Sequence, residues 1–323
     1  MLRLFADANY PFLQWRRKAY LVSAVLLLAG IGSMVYNTVS TGSWLNYGVD
    51  FAGGTLVQVQ FEQPVSIDQV RAANPGWQIT RFGDAGDNEF VIRTPTFSED
   101  LQVDPAEETS QALADQFGEG TFQILRTEAV GPKVGGELQQ RALLAILISF
   151  IATLIYIAWR FEWRFGVASI IATAHDIIIT LGFLALLRSE ISIGTVAAFL
   201  TIVGYSLNDT IIVFDRVREN LAKRIRGSSY GEIVNRSINE TLPRTVLTSG
   251  TTLATLTSLY VFGGGVIRDF ALVLILGIAI GTFSSIFVAS PALYAIEQKW
   301  PRKTDRRPGS SASSARRRET AVV

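Results

Sequence analysis

Six long apolar runs constrain this chain more than any other feature of its sequence. A helix needs about 20 largely apolar residues to cross the hydrocarbon core of a bilayer. The runs cover residues 19–39, 142–159, 165–187, 191–214, 245–262 and 267–296. We expect the last run, which is the longest, to tilt or to end at Pro291. The sequence therefore predicts a membrane α-helical bundle of six transmembrane helices.

Residues 40–140, between the first two runs, have a different character, because their apolar segments are short and interrupted by Gly, Pro and charges. Strands are predicted at residues 55–61, 77–82, 89–93 and 121–130. Helices are predicted at residues 66–74, capped by Ser66, and at residues 105–117, opened by Pro105. This β-α-β-β-α-β order predicts one α+β domain with a ferredoxin-like fold.

Lysine and arginine are unevenly distributed among the segments that connect the apolar runs. They cluster in residues 216–244, in residues 299–318 and at the turn with Arg160 and Arg164, whereas the alternate connections hold few. Cytoplasmic loops carry the excess of basic residues in membrane proteins. Both termini are therefore predicted to be cytoplasmic and the α+β domain to be extracytoplasmic.

The predicted organisation has five parts, which follow from the runs and their orientation. They are a cytoplasmic N-terminus (1–18), the first transmembrane helix (19–39), the extracytoplasmic α+β domain (40–140), a five-helix transmembrane portion (141–296) and a cytoplasmic basic tail (297–323). The tail is rich in Ser and Arg, which predicts disorder. We interpret it as a solvated determinant of topology rather than as a nucleic-acid site.

The fourth apolar run carries an acid, Asp209, in its interior. An Asp at the centre of a membrane helix costs ~2.5–3.5 kcal/mol on insertion scales, and such residues commonly mark ion or proton pathways. Helical spacing places Thr201, Gly204, Tyr205 and Asn208 beside it, on a small and polar face that suits helix contact. A structural hydrogen bond between helices is the alternative. We favour a role in which Asp209 takes up and releases a proton.

Arg244 is predicted to open the fifth transmembrane helix at the same membrane depth as Asp209. Polar residues recur along one face of that helix, at Thr245, Thr248, Thr252 and Thr255. These threonines either line a hydrated path or bond back to their own backbone. We favour the hydrated path, in which Arg244 approaches Asp209 and swings away from it, so that the carboxylate changes its protonation state.

His175 and Asp176 lie near the middle of the third run, and His175 is the only histidine of the chain. An intramembrane His–Asp pair can relay protons or can clamp helices together, and both interpretations stay open. A catalytic dyad of Asp176 and Asp209, as in an intramembrane aspartyl protease, is a weaker alternative because the two acids lie at different depths. Asp215 and Arg216 are interpreted as interfacial and structural.

Glycines mark the positions where close contact or backbone rotation is expected. Gly204, Gly277 and Gly281 are predicted to support helix packing, the last two in a row of small residues spaced by four. Candidate hinges flank the external domain at Gly53, Gly54, Gly135 and Gly136, with plain turns as the alternative.

Several kinds of chemistry find no support in the sequence. The chain has no cysteine, which excludes disulfides, cysteine-ligated metals and thiol catalysis. The glycines at residues 263–265 do not follow a strand and open a helix, as a phosphate-binding loop must. We therefore predict no metal, no cofactor and no enzymatic activity.

Four ordered motifs resemble the SecD/SecF family of bacterial protein export, and together they span most of residues 1–300. They are GVDFAGGT from Gly48, GPKVGGEL from Gly131, GYSLNDTIIVFDRVREN from Gly204 and RTVLTSGTTL from Arg244. Pro243 departs from the last motif and predicts a shift of the helix start by one residue. The family is similar to half of a resistance-nodulation-division (RND) transporter.

The resemblance implies a function and a set of partners. It implies a multi-pass protein of the bacterial cytoplasmic membrane that pairs with SecD, assists the SecYEG channel and uses the proton-motive force to draw the translocating polypeptide outward. It places the proton pathway on Asp209, Arg244 and Thr248, between this chain and SecD. The alternatives are a self-contained RND-type exporter of small molecules or lipids, which the single small external domain disfavours, and a passive scaffold.

Overall fold

The computed structural model describes residue 5 and residues 8–73, 76–83, 86–94, 105–160, 162–223, 228–263 and 265–301. The basic tail lies outside the described residues from residue 302 onward, as does residue 74 of the first predicted domain helix. The elements are α1 (Phe12–Thr41), β1 (Asn46–Tyr47), α2 (Val49–Ala52), β2 (Gly54–Phe61), α3 (Ile67–Ala73), β3 (Gln78–Phe82), β4 (Glu89–Thr94), α4 (Pro105–Phe117), β5 (Phe122–Val130), α5 (Pro132–Arg160), α6 (Trp163–Leu187), β6 (Glu190–Ile191), α7 (Ile193–Ala222), α8 (Tyr230–Phe262), α9 (Gly265–Ser284), a π-turn (Ser285–Ala289) and α10 (Ser290–Lys299).

Five described helical segments are long and apolar enough to cross a membrane, by length and composition. They are Phe12–Thr41, Pro132–Ile157, Trp163–Leu187, Ile193–Ala222 and Ile267–Lys299. The remaining predicted run, residues 245–262, forms the second half of α8, where threonine and serine lower the hydropathy. The protein is thus a helical bundle of the membrane type with a small sheet domain.

Helix α8 begins much earlier than the sequence predicts. Ser229 and Glu232 form a capping box, in which each side chain accepts a hydrogen bond from the backbone N–H of the other. Pro243 lies inside the continuous helix, so the predicted helix start at Arg244, and the predicted shift of that start, are wrong. The turns before the proline are held by packing, since side chains such as Ile238 are buried in the bundle.

The last apolar run also continues past the position where it was predicted to tilt or end. The π-turn and α10 carry the helix through Pro291, which therefore does not terminate it. Ser290 Oγ donates to the backbone carbonyl of Ser285 at 2.8 Å within this wider turn. A π-turn accommodates one extra residue, and its position directly before the proline suits a residue without a backbone N–H.

Strands β2 to β5 form one antiparallel sheet in the order β3-β4-β2-β5. Helices α3 and α4 cover one face of it, because Val57, Phe90 and Ile92 of the strands pack with Val70 and Leu113 of the helices. All five side chains are fully buried. The other face of the sheet is directed toward the ends of the long helices.

Close glycine contacts hold the long helices together. A Cβ atom added at Gly30 of α1 would lie 2.8 Å from the Cα atom of Gly182 of α6, so the two backbones touch. A Cβ atom at Gly281 of α9 would lie 3.0 Å from Ser206 Cβ of α7, and one at Gly277 would overlap the Ile202 side chain. Gly277 and Gly281 therefore lie at a tight α7–α9 contact, as helix packing requires.

The four candidate hinge glycines lie at one junction between the sheet domain and the bundle. A Cβ atom at Gly53 would lie 2.8 Å from Pro132 Cα, and one at Gly135 would lie 2.9 Å from a carbonyl oxygen of α2. Gly53 and Gly54 both have positive φ angles, of 76° and 111°, whereas Gly136 has open space. The two ends of the domain thus meet in a contact without room for side chains, and the hinge role stays a prediction.

Two asparagines of α8, Asn235 and Asn239, form hydrogen bonds with the backbone at the start of α1, and we call this arrangement the asparagine clasp. Asn239 Oδ1 accepts a hydrogen bond from the Tyr10 backbone N–H at 2.8 Å, and the Tyr10 carbonyl accepts from Asn235 and Asn239. Asn235 Oδ1 also accepts from the Leu13 N–H at 3.2 Å. The two asparagines are four residues apart on one helix face, so they bind the same short segment.

Candidate functional site

Asp209 lies in the core of the helix bundle and is 1% exposed. Its Oδ2 atom accepts a hydrogen bond from Ser249 Oγ of α8 at 3.1 Å. Thr282 Oγ1 of α9 in turn donates to Ser249 Oγ at 2.8 Å. The carboxyl group is therefore the start of a polar chain that joins α7, α8 and α9 inside the bundle.

The second oxygen of this carboxyl group has no partner. Oδ1 of Asp209 is buried and accepts no hydrogen bond from any described residue. Thr245 Oγ1, one turn before Ser249 on α8, is likewise buried and unpartnered within the described part of the chain. Buried polar atoms normally have partners, so the site has unused hydrogen-bonding capacity that a proton on the carboxyl group or a water molecule can fill.

Arg244 is exposed and forms no ion pair with Asp209 among the described residues. Thr248 donates to the backbone carbonyls of Arg244 and Thr245, at 3.0 and 3.1 Å. The structure therefore places Arg244 and Thr248 at the edge of the Asp209 network, and Thr248 bonds back to its own helix.

The other polar and small residues that were predicted near Asp209 either bond to a neighbouring helix or lie on an exposed face. Thr252 accepts a hydrogen bond from the Tyr205 hydroxyl at 3.2 Å, which links α8 to α7 beside the network. Thr201, Gly204 and Asn208 lie on an exposed face of α7, and a Cβ atom at Gly204 would meet nothing within 4 Å. Gly204 thus packs against no described part of this chain, unlike the other two predicted packing glycines.

Asp176 is a second buried acid with its own partners. It is completely buried, and its Oδ2 atom accepts a hydrogen bond from Ser206 Oγ at 2.5 Å. Its Oδ1 atom lies 2.8 Å from His175 Nδ1, while His175 Nε2 is buried without a described partner. Asp176 and Asp209 form no hydrogen bond with each other among the described residues, so the geometry gives no support to an aspartyl dyad.

Asp215 and Arg216, which were interpreted as interfacial and structural, form ion pairs at the protein surface. Arg216 binds Glu240 at 2.6 Å and Glu219 at 2.5 Å, and Asp215 lies 3.7 Å from Arg218. The Arg216–Glu240 pair connects the end of α7 with the first half of α8, whereas the other two pairs lie within α7. No group of three or more potential metal ligands occurs in the described ranges.

The sequence did not single out Ser206, Ser249 or Thr282 as functional. The sequence does contain a signal for two of them. Ser249 lies on the same α8 face as Thr245 and Thr252, and Thr282 directly follows the packing residue Gly281. A small residue at a helix contact brings its neighbours close to the adjacent helix. Which hydroxyl reaches which carboxyl group depends on the relative rotation of the helices, which the sequence does not state.

Fold and site together define a multi-pass membrane protein with buried acids on a polar network and one small sheet domain. The chain belongs to the SecD/SecF family of protein export membrane proteins. Residues 109–299 match the family model for the C-terminal part of protein export membrane protein SecD/SecF, and residues 39–65 match the SecD/SecF GG motif. The second match contains Gly53 and Gly54.

Known relatives agree with this assignment. Protein translocase subunit SecF of Gemmatimonas aurantiaca is 45% identical, over 100% of this chain and 97% of the relative. SecF of Escherichia coli O157:H7 is 42% identical, over 87% of this chain and 86% of the relative. The crystal structure of SecDF from Thermus thermophilus, a translocon-associated membrane protein, superimposes with a TM-score of 0.78 at 39% identity. That match covers 91% of this chain and 39% of the SecDF chain.

Proposed function

We propose that this chain is a SecF-type subunit that works with SecD to drive late steps of polypeptide export through SecYEG, using the proton-motive force. The family supports the export role. The buried Asp209, with one oxygen bonded to Ser249 and the other without a hydrogen-bond partner in the described part of the chain, is the observation that supports proton coupling. The chain acts as a transport subunit and not as an enzyme.

The proposal includes a membrane arrangement. The second half of α8 is the fifth of six transmembrane helices, both termini are in the cytoplasm, and the sheet domain lies outside the bacterial cytoplasmic membrane, as the distribution of Lys and Arg indicates. The five parts then have the bounds 1–18, 19–39, 40–140, 141–296 and 297–323. The element order and the strand order β3-β4-β2-β5 fit a ferredoxin-like domain.

The proposed proton site consists of three groups of residues with different roles. Asp209 binds the proton, and the hydroxyl groups of Ser249 and Thr282 supply hydrogen bonds on one side. Arg244, with Thr248 on the same helix, competes with the proton for the carboxylate when the helices shift. The pair His175 and Asp176, together with Asn208 and Thr252, supports the polar interior.

The second wall of the pathway is proposed to come from SecD. The α7 face with Gly204 and Asn208 is exposed in this chain, and a membrane helix rarely leaves polar groups toward lipid. A proton that moves down 100 mV releases about 2.3 kcal/mol. This free energy shifts a two-state equilibrium roughly 40-fold, which is sufficient to bias a movement of the external domain about its flanking glycines.

The test compares Asp209→Asn with Asp215→Asn in vesicles that contain SecD, SecYEG and this subunit. Asn keeps the size of Asp209 but cannot change its charge, so we expect at least a tenfold loss of the export that an imposed pH gradient stimulates. Asp215 is on the same helix but exposed, so its variant should keep full activity. Gradient-driven export by Asp209→Asn at the wild-type rate would support a passive scaffold instead.

A further inference from the structure

A cleft with a volume of about 550 Å³ separates the uncovered face of the sheet from the ends of α7 and α9. Its lining is rich in arginines and acids, among them Arg93 of the sheet, Glu190 before α7 and Asp269 in the first turns of α9. The cleft is the place where the sheet domain faces α7 and α9, two of the three helices that hold the Asp209 network.

Arg93 is fixed rigidly to the sheet. It lies on β4, where it is paired with Leu56 of β2 on one side and with Gln78 of β3 on the other. A residue on a strand that is hydrogen-bonded to a strand on each side moves with the whole sheet, whereas a loop residue can move by itself. Its side chain is only 14% exposed, so its guanidinium group is held inside the cleft.

The guanidinium group of Arg93 forms an ion pair with Glu190. Glu190 is held in two ways: β6 pairs with β1, opposite Asn46, and the Glu190 carbonyl accepts a hydrogen bond from Thr195 Oγ1 in the first turn of α7 at 3.2 Å. Ser192 caps the same helix start through a hydrogen bond from the Thr195 N–H. The position of Arg93 is therefore tied to the position of the first turn of α7.

A second charge acts on Arg93 from α9. Burial lowers the pKa of Arg93, and the negative charge of Asp269 opposes this effect. Arg93 stays charged, since its ordinary pKa is far above neutrality. Its Nε atom is buried without a hydrogen-bond partner among the described residues, so its position is set by charge and packing.

We infer that Arg93 is the positioning residue that transmits movement of α7 and α9 to the sheet domain; this inference rests on the proposed proton-driven function. The same two helices carry Asp209 and Thr282 in the bundle and present Glu190 and Asp269 at the cleft. Their tight glycine contacts make α7 and α9 move as one unit, and the Arg93–Glu190 ion pair joins that unit to a central strand. A shift at the proton site thereby becomes a displacement of the domain.

The first experiment measures gradient-driven export with Arg93→Gln, Glu190→Gln and the charge-exchanged double variant Arg93→Glu/Glu190→Arg. Substitutions in a coupling element typically change coupling by a factor of about 2 to 30, so each single variant should lose export within that range. The double variant should recover most of the loss. The matched control is Arg126→Gln, which removes an ion pair with Glu128 inside β5 of the same cleft and should leave export unchanged.

The second experiment measures the movement of the sheet domain relative to the helices directly. A residue that only stabilises the fold would not change this movement. The chain has no cysteine, so spin labels can be placed at Gln123→Cys on the sheet and Leu187→Cys on α6. With Arg93 present, Asp209→Asn should shift the distance distribution between the labels. With Arg93→Gln, the same substitution should leave the distribution unchanged.

The outcomes separate this inference from the proposed function. If Asp209→Asn abolishes gradient-driven export but Arg93→Gln and Glu190→Gln export normally, the coupling role of Arg93 is wrong and the proton function stands. An equal distance shift with and without Arg93 also overturns the coupling role. If Asp209→Asn exports normally, the proton function itself fails.

Discussion

At the scale of single residues, the balance of hydrogen bonds around Asp209 decides how the site works. A hydrogen bond to a charged group contributes about 1.5–3 kcal/mol, and an unsatisfied buried oxygen costs a comparable amount. Asp209 has one hydrogen bond, from Ser249 to Oδ2, and one buried oxygen, Oδ1, without a partner among the described residues. One oxygen of the carboxyl group is thus held in place, and the other is open to the proton that the proposed function requires.

We predict that Ser249→Ala lowers gradient-driven export about tenfold, because it removes the described side-chain hydrogen bond that positions Asp209. Thr251→Ala is the matched control, since Thr251 is exposed and donates to backbone carbonyls of α8. Export in vesicles with SecD and SecYEG measures both. Equal rates for Ser249→Ala and wild type would show that the hydroxyl group has no part in the site.

The sequence was sufficient to predict that Asp209 contacts neighbouring helices, because an acid in an apolar run is costly unless it is buried with polar partners, whereas its proton role stays a prediction. It was also sufficient to place Gly277 and Gly281 at a helix contact. It was not sufficient for Ser249 and Thr282, whose roles depend on how three helices are rotated against each other. The Arg244 side chain makes no direct contact with the carboxyl group among the described residues, so its role at the site stays a prediction.

At the scale of elements, a charged cluster fastens the end of α7 to the first half of α8. Glu240 accepts hydrogen bonds from Asn220 at 2.7 Å, from Arg216 at 2.6 Å and from Arg236 at 2.9 Å. Burial raises the pKa of Glu240, but these three hydrogen bonds outweigh it and lower the pKa to about 2. The cluster therefore stabilises the folded state in its charged form.

The pH dependence follows from this lowered pKa. An unfolded Glu titrates near its ordinary pKa of about 4.3, so the contribution is complete above that value and is lost as pH falls toward about 2. We predict that Glu240→Gln lowers the Tm of the detergent-solubilised protein by roughly 2–4 °C at pH 7. The difference from wild type should shrink below about pH 4.

Glu119→Gln is the control for Glu240, because Glu119 is an exposed acid in the sheet domain. Its Tm should equal that of wild type at both pH values. A Glu240→Gln variant whose Tm deficit persists undiminished at low pH would contradict the charged cluster as the cause.

The boundaries of the strands and domain helices were predictable because period-two alternation and caps are local signals. The start of α8 was missed for a physical reason: residues 230–242 are amphipathic, so they form no apolar run although they are helical and partly buried. The capping box of Ser229 and Glu232 was present in the sequence and marks this start.

At the scale of the whole molecule, the bundle is incomplete on one side. Almost none of the apolar stretch of α5 is buried, and the second half of α8 is largely exposed. The small residues of α7 at this side, Thr201 and Gly204, touch no described helix closely. The proposed pairing with SecD would cover part of this surface, and lipid would cover the rest.

We predict that Gly204→Leu leaves the isolated chain folded, because the added side chain has open space, but weakens its association with SecD at least tenfold. Gly32→Leu is the matched control, since Gly32 of α1 also has open space around it. Co-purification in detergent measures the association and Tm measures the fold. Intact association of Gly204→Leu would show that this α7 face is not the contact surface.

The asparagine clasp around Tyr10 has a consequence for biosynthesis. The donor and acceptor of the Tyr10–Asn239 hydrogen bond are 229 residues apart, so the beginning of the chain cannot reach its final place until α8 has left the ribosome. Contacts of such long sequence separation form late. The start of the first helix is therefore fixed after α8 is made, although Gly30 of the same helix can pack against Gly182 of α6 earlier.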